Sequence, residues 1–138
     1  MILVDTSVWI DYLRGQDTAA TRLLESLLGD DLPVAITGVI YQEILQGADS
    51  PESFQRLTEY FGTQRFLHPQ DPVLSHNRAA DLYLQCRRAG LTIRSTIDCL
   101  IAQIAIEHNA RLLQDDRDFL HLQRVIPDLQ LMVPGQVR

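Results

Sequence analysis

Acidic residues recur directly after short apolar runs in this chain. Asp5 follows Ile2-Leu3-Val4, and Asp115, Asp116 and Asp118 come just after Arg111-Leu112-Leu113. Glu43 sits inside the largely apolar stretch Val39-Ile40-Tyr41-Gln42-Glu43-Ile44-Leu45, and Asp98 directly precedes Cys99-Leu100-Ile101-Ala102. Taken singly, each has an ordinary explanation. Asp98 could be a helix N-terminal charge answering the dipole, Glu43 a partly exposed helix residue, and Asp115, Asp116 and Asp118 a solvated turn. Asp5 is harder to explain away, because an Asp at a strand's carboxyl end is a common site residue. Carboxylates in apolar surroundings are costly unless paired or bound to a cation. Several together repel and raise one another's pKa, a penalty that a divalent cation removes. The four histidines, His68, His76, His108 and His121, show no paired ligand spacing, and neither do Cys86 and Cys99. An all-oxygen donor set points to a hard ion, Mg²⁺ or Mn²⁺.

The surrounding pattern shows how such residues would be brought together. Ile2–Val4 reads as a buried strand, and Ser7 as the cap of a helix over 8–14 that Gly15 stops. Residues 18–28 repeat apolar positions at helical spacing: Ala20, Leu23, Leu24 and Leu27. Residues 33–36 form a second strand candidate, and Thr37 caps a helix over 38–46. Ser50-Pro51 opens another helix, with Phe54, Leu57 and Phe61 on one stripe. A short strand at 65–67 precedes a long helix from Asp71-Pro72 to near Gly90. A strongly apolar helix runs from Thr96 or Ile97 to about His108. Strands at 111–113 and 129–133 follow, with a helix from about 116 to 122 between them. Short apolar strands alternating with helices predict an α/β fold: one domain, residues 1–138, whose central parallel sheet is flanked by helices. Such sheets bind ligands beyond the carboxyl ends of their strands, and Asp5 and Asp116 fall at two of those ends.

Composition sets limits. The chain has 138 residues, 46% hydrophobic and 22% charged, enough apolar material for a core without disulfide or metal staples. Cys86 and Cys99 read as buried free thiols. No apolar run approaches the ~20 residues of a membrane span, and Met1 leads straight into the first strand with no secretory leader. A cytoplasmic protein without membrane association is expected. The net charge of −6 argues against an extended nucleic-acid surface, yet all 12 Lys/Arg positions are arginine, the side chain suited to bidentate phosphate contacts. Arg87, Arg88 and Arg94 are the candidate local patch; a solvated helix end accounts for them equally well. The absence of lysine weighs against a phosphoacceptor signalling domain, which needs one at a late strand end.

Four segments resemble the PIN domains, in particular the VapC-type toxins of bacterial toxin–antitoxin pairs. Asp5-Thr6-Ser7-Val8-Trp9-Ile10-Asp11 is similar to the family's opening. Thr37 through Glu43 to Gly47 resembles its second motif, Ile97-Asp98-Cys99-Leu100-Ile101-Ala102 its third, and Leu112–Phe119 its fourth. The resemblance covers essentially the whole chain, in order. It implies a five-stranded parallel sheet and a metal-dependent endoribonuclease. Asp5, Glu43, Asp98 and Asp116 match the acidic quartet, with Asp5, Asp98 and Asp116 as metal ligands. Asp118 matches an additional acid, Thr6 or Ser7 a hydroxyl near the metal, and Asp115 is a further candidate. Gln114 departs from the pattern, standing where a hydroxyl residue is usual, which puts one supporting hydrogen bond in doubt.

On this reading RNA is hydrolysed by in-line displacement, with Mg²⁺ or Mn²⁺ stabilising the attacking and leaving oxygens. A non-catalytic PIN-like interaction module and a metal-dependent phosphatase are the alternatives. The resemblance also implies a VapB-type antitoxin partner. Trp9, Ile10, Tyr12 and Leu13, with Leu23, Leu24, Leu27 and Leu28, give the early helices more apolar surface than one sheet face buries. A groove for a partner helix near Asp5 and Glu43 is one use of that surplus; packing of the two helices on each other is the other. A homodimer through this surface, or through the long helix near Leu82 and Tyr83, is also expected.

Overall fold

Helix starts are written plainly into this sequence. Thr18, Thr37, Ser50, Asp71 and Ser95 each present a side-chain oxygen to the free N–H groups of the turn that follows, as do Asp5 and Asp116. Such caps are worth about 1 kcal/mol apiece. The structure, a computed structural model, describes residues 1–132. In chain order its elements are β1 (Ile2–Val4), α1 (Thr6–Leu13), α2 (Ala19–Gly29), β2 (Val34–Ile36), α3 (Gly38–Leu45) and α4 (Pro51–Phe61). They continue with β3 (Arg65–Phe66), α5 (Pro72–Arg88), α6 (Thr96–Glu107), β4 (Arg111–Leu113), α7 (Arg117–Val125) and β5 (Gln130–Met132).

The five strands form one parallel sheet in the order β3-β2-β1-β4-β5. The central strands are apolar except for Arg111 at the start of β4, because both faces are covered: Leu3, Val4, Ala35, Ile36, Leu112 and Leu113 are fully buried. The helices pack in two groups, α1 on α2 and α3 with α3 on α4, and α5, α6 and α7 on one another. Trp9 anchors the first group, its ring edge-on to Phe61 at 4.9 Å and to Tyr12 at 6.2 Å. Ile101, Ala102, Ile104 and Ala105 of α6 are buried, in keeping with its apolar sequence. Gly15 (φ +72°) and Gly90 (φ +81°) follow α1 and α5 in the left-handed conformation that glycine adopts without a Cβ penalty.

Several expectations change in detail. The first helix begins at Thr6 rather than Val8, because Asp5 and not Ser7 caps it; the Asp5 carboxylate accepts the Ser7 N–H. The last strand ends at Met132 among the described residues, and position 133 of the expected strand lies outside them. The apolar surplus of the early helices is mostly used in packing α1 on α2: Trp9, Leu24 and Leu27 are buried, and Leu13 is the exposed exception. Leu82 is buried, whereas Val73, Leu74 and Leu84 of α5 are exposed. Both cysteines are free and buried, and burial pushes the Cys99 thiol up to about 12.

Candidate active site

Parallel pairing of β1 with β4 sets Val4 opposite Leu113, so the chain leaves both strands side by side at one sheet edge. The Asp5 N–H donates to the Leu113 carbonyl at 2.9 Å, extending the ladder by one rung. Ser7 fastens the two exits: its Oγ donates to Asp5 Oδ2 at 2.7 Å and accepts the Asp115 N–H at 3.3 Å. Asp5 and Asp116 then cap α1 and α7, which places two site carboxylates against the positive ends of helices.

Asp98 reaches the same edge from the first turn of α6, just past its cap Ser95. Asp98, Asp116 and Asp118 each offer a carboxylate oxygen, all within 4.8 Å of one another. Asp5, Thr6, Ser7, Glu43, Arg94 and Ser95 complete the walls of a pocket of about 350 Å³ around them. Glu43 is exposed, the ordinary of its two sequence readings, although its neighbours in sequence are apolar. It is directed by Thr6, whose Oγ1 donates to Glu43 Oε1 at 2.6 Å. The expected quartet is thus gathered in one pocket. The tightest triad nonetheless contains Asp118, which the sequence suggested only as an accessory acid, in place of Asp5.

The electrostatics follow from burial and like charge. Asp98 is raised to about 7 by burial and by repulsion from Asp5, Asp116, Asp118 and Glu43. Burial also raises Asp5, opposed by its hydrogen bonds from Ser7 and Thr6. Carboxylates this close are unfavourable together without positive charge, and an oxygen-only set fits a hard divalent cation. Arg94 supplies some positive charge: its Nη2 lies 3.1 Å from Asp116 Oδ1 and its Nε 3.4 Å from Asp118 Oδ1.

Beside the acid pocket lies an open cleft of about 780 Å³, with Arg94, Asp116 and Asp118 in both walls. Thr92, Arg117 and His121 are among its other lining residues. Asp115 is exposed and lines this cleft rather than the acid pocket. Arg87 and Arg88 are exposed at the end of α5 and line neither, with Arg87 over the Tyr83 ring. Sequence reasoning missed Ser95 and the pairing of Arg94 with two acids. No local spacing signals that pairing, because Asp116 and Asp118 lie 22 and 24 residues further along the chain. Gln114, the departure noted above, supplies a bond of its own: its Oε1 accepts the Asp116 N–H at 2.6 Å.

Known proteins place this geometry. The PIN domain family model matches residues 2–125. Ribonuclease VapC11 of Mycobacterium tuberculosis is 36% identical over 126 residues, 91% of this chain and 93% of that one. Ribonuclease VapC32 of the same organism is 32% identical over 117 residues, 85% and 86% of the respective chains. Among solved structures, VapBC2 from Rickettsia felis bound to a promoter DNA fragment superposes at TM-score 0.71 with 22% identity, covering 96% of this chain and 98% of that one. A toxin–antitoxin complex from Klebsiella pneumoniae superposes at 0.70 with 22% identity over 99% and 100%. With a parallel five-stranded sheet and acids gathered at its carboxyl edge, the chain belongs to the PIN domain family, in its VapC ribonuclease branch.

Proposed function

We propose that this protein is a Mg²⁺- or Mn²⁺-dependent endoribonuclease toxin, working as one PIN unit over residues 1–138. The observation that carries this reading is the convergence of Asp98, Asp116 and Asp118 within 4.8 Å, in a pocket shared with Asp5 and Glu43. Asp5, Asp98 and Asp116, joined by Asp118, are the residues that would hold the cation. When bound, the cation supplies positive charge to the scissile phosphate and lowers the pKa of the attacking water. Asp98 or Asp116 would accept a proton from the water that adds to phosphorus as the P–O bond on the opposite side breaks, and the departing oxygen would take a proton from solvent. Thr6 keeps Glu43 turned toward the pocket, and Ser7 keeps Asp5 and the Asp115 backbone in register. Arg94, with Arg117 in the adjoining cleft, is the nearest contact for RNA phosphates; Arg87 and Arg88 could touch only a more distant part of the strand.

The partner in this reading is a VapB-type antitoxin, and the reaction takes place in the cytoplasm. Structural relatives solved as toxin–antitoxin complexes support the partner. No helix of the described residues is long and apolar enough to cross a membrane. The exposed Val73, Leu74 and Leu84 of α5 are the surface on which a homodimer would form.

The test is incubation of the purified chain with structured RNAs under Mg²⁺, Mn²⁺, Ca²⁺ or excess chelator, with the new ends mapped. Cleavage is expected with the first two ions. Little is expected with Ca²⁺, which prefers more ligands at longer distances. Full activity in chelator would sink the cation-dependent reading, and turnover of a small phosphomonoester but not RNA would favour a phosphatase.

A further inference from the structure

Arg94 is an exposed arginine whose side chain turns back onto the acid pocket. Three contacts join it to the acids. Its backbone N–H donates to Asp118 Oδ2 at 3.0 Å, its Nε reaches Asp118 Oδ1 at 3.4 Å, and its Nη2 reaches Asp116 Oδ1 at 3.1 Å. The two side-chain contacts fall on two of the three carboxylates that lie within 4.8 Å of one another. A guanidinium and a divalent cation would therefore compete for the same negative charge. Two positive centres a few ångströms apart repel even where solvent screens them. The guanidinium also has somewhere to go, since Arg94 stands in the wall between the acid pocket and the 780 Å³ cleft.

We propose that Arg94 is an exchangeable counter-ion. Its guanidinium neutralises Asp116 and Asp118 while no divalent cation is bound. It yields them when one arrives, turning to the cleft where an RNA phosphate would lie. The proposal rests on the reading that these acids hold a divalent cation. It adds that the chain carries its own competitor for that cation. The backbone contact survives the substitution of Arg94 by Gln or Ala, so Asp118 stays in place and the side chain alone is tested.

The experiment is calorimetric titration of Mn²⁺ into chelator-stripped full-length protein, comparing wild type with Arg94→Gln, Arg94→Ala and Asp98→Asn. Loss of an exposed but doubly bonded competitor should tighten Mn²⁺ binding by about five-fold in both Arg94 variants. Asp98→Asn should weaken it. A second readout uses the nitrogen-15 Nε–H resonance of Arg94, assigned by its disappearance in the variants. It should be visible in the stripped protein and lost to water exchange on adding diamagnetic Mg²⁺. Unchanged or weaker Mn²⁺ binding by the Arg94 variants, with wild type still binding and Asp98→Asn impaired, overturns the exchange and spares the cation site. If wild type takes up no Mn²⁺, the cation site and the exchange fall together.

Discussion

Asp98 is the residue at which the conflict between stability and chemistry is sharpest. It is buried against four other acids, and its carboxyl is raised from its ordinary 3.8 to about 7. A carboxyl whose folded pKa is raised binds its proton more tightly in the folded state than in the unfolded one. Stability without metal therefore falls as pH rises from about 4 to about 7 and levels off above. The interval between 3.8 and about 7 sets a ceiling of about 4 kcal/mol on the effect. Thermal unfolding in chelator should thus show a midpoint higher at pH 5 than at pH 8. Asp98→Asn should flatten that dependence and raise the pH 8 midpoint, while reducing RNA cleavage by about a thousand-fold or more. An Asp98→Asn protein that unfolds earlier than wild type at pH 8 would mean the carboxylate is already compensated in the stripped protein. This residue was legible in the sequence as an acid heading an apolar helix. Its partner Asp118 was underrated because Asp115, Asp116 and Asp118 look alike in a sequence; the α7 turn decides which of them faces inward.

At the scale of elements, the site is built from helix starts. Asp5 and Asp116 end the loops after β1 and β4 and cap α1 and α7, and Ser95 caps α6 within the same pocket. The acids are therefore held by the capping geometry that starts the helices, and their function can be separated from their structural part. Asn caps a helix about as well as Asp, so Asp5→Asn should keep the fold, or stabilise the metal-free protein, and abolish cleavage. Asp5→Ala should abolish cleavage and also cost about 1 kcal/mol through the lost cap. Urea denaturation of the two variants beside wild type checks the difference, and equal stability of Asn and Ala would refute the capping role. Capping chemistry is also why most element starts were readable from sequence alone. The first one was misplaced because Asp5 and Ser7 are both good caps, and only the parallel pairing with β4 shows which one lies at the turn. Glu43 was left between an exposed and an embedded position for a related reason. Apolar neighbours in sequence describe the other faces of α3, and the exposed face carrying Glu43 emerges only when the helix is set against α1 and α4.

For the whole molecule, the question is how a chain with net charge −6 handles RNA. Its field repels a polyanion at long range, so affinity must come from a few local contacts around the open cleft. Arg117 and Arg94 are the two arginines lining that cleft, whereas Arg87 and Arg88 lie outside it. Single-stranded RNA binding loses affinity with salt at a slope of about −0.7 per neutralised phosphate. Two contacts then predict a slope of only about −1.4, far shallower than for proteins with basic surfaces. Fluorescence anisotropy with a short RNA, using the cleavage-defective Asp98→Asn protein at a fixed Mg²⁺ concentration that saturates its weakened cation site and over a series of KCl concentrations, measures it. Arg117→Ala should weaken binding and reduce the slope by about 0.7, while Arg87→Ala with Arg88→Ala should change it little. A steep wild-type slope that collapses in the Arg87/Arg88 variant would move the RNA path from the cleft to the end of α5. The sequence named all three arginines of its candidate patch on equal terms, because nothing in local spacing tells which helix end borders the acid pocket. That distinction comes from the sheet order, which sets β4 beside β1 and so makes the cleft at the start of α7 continuous with the acids.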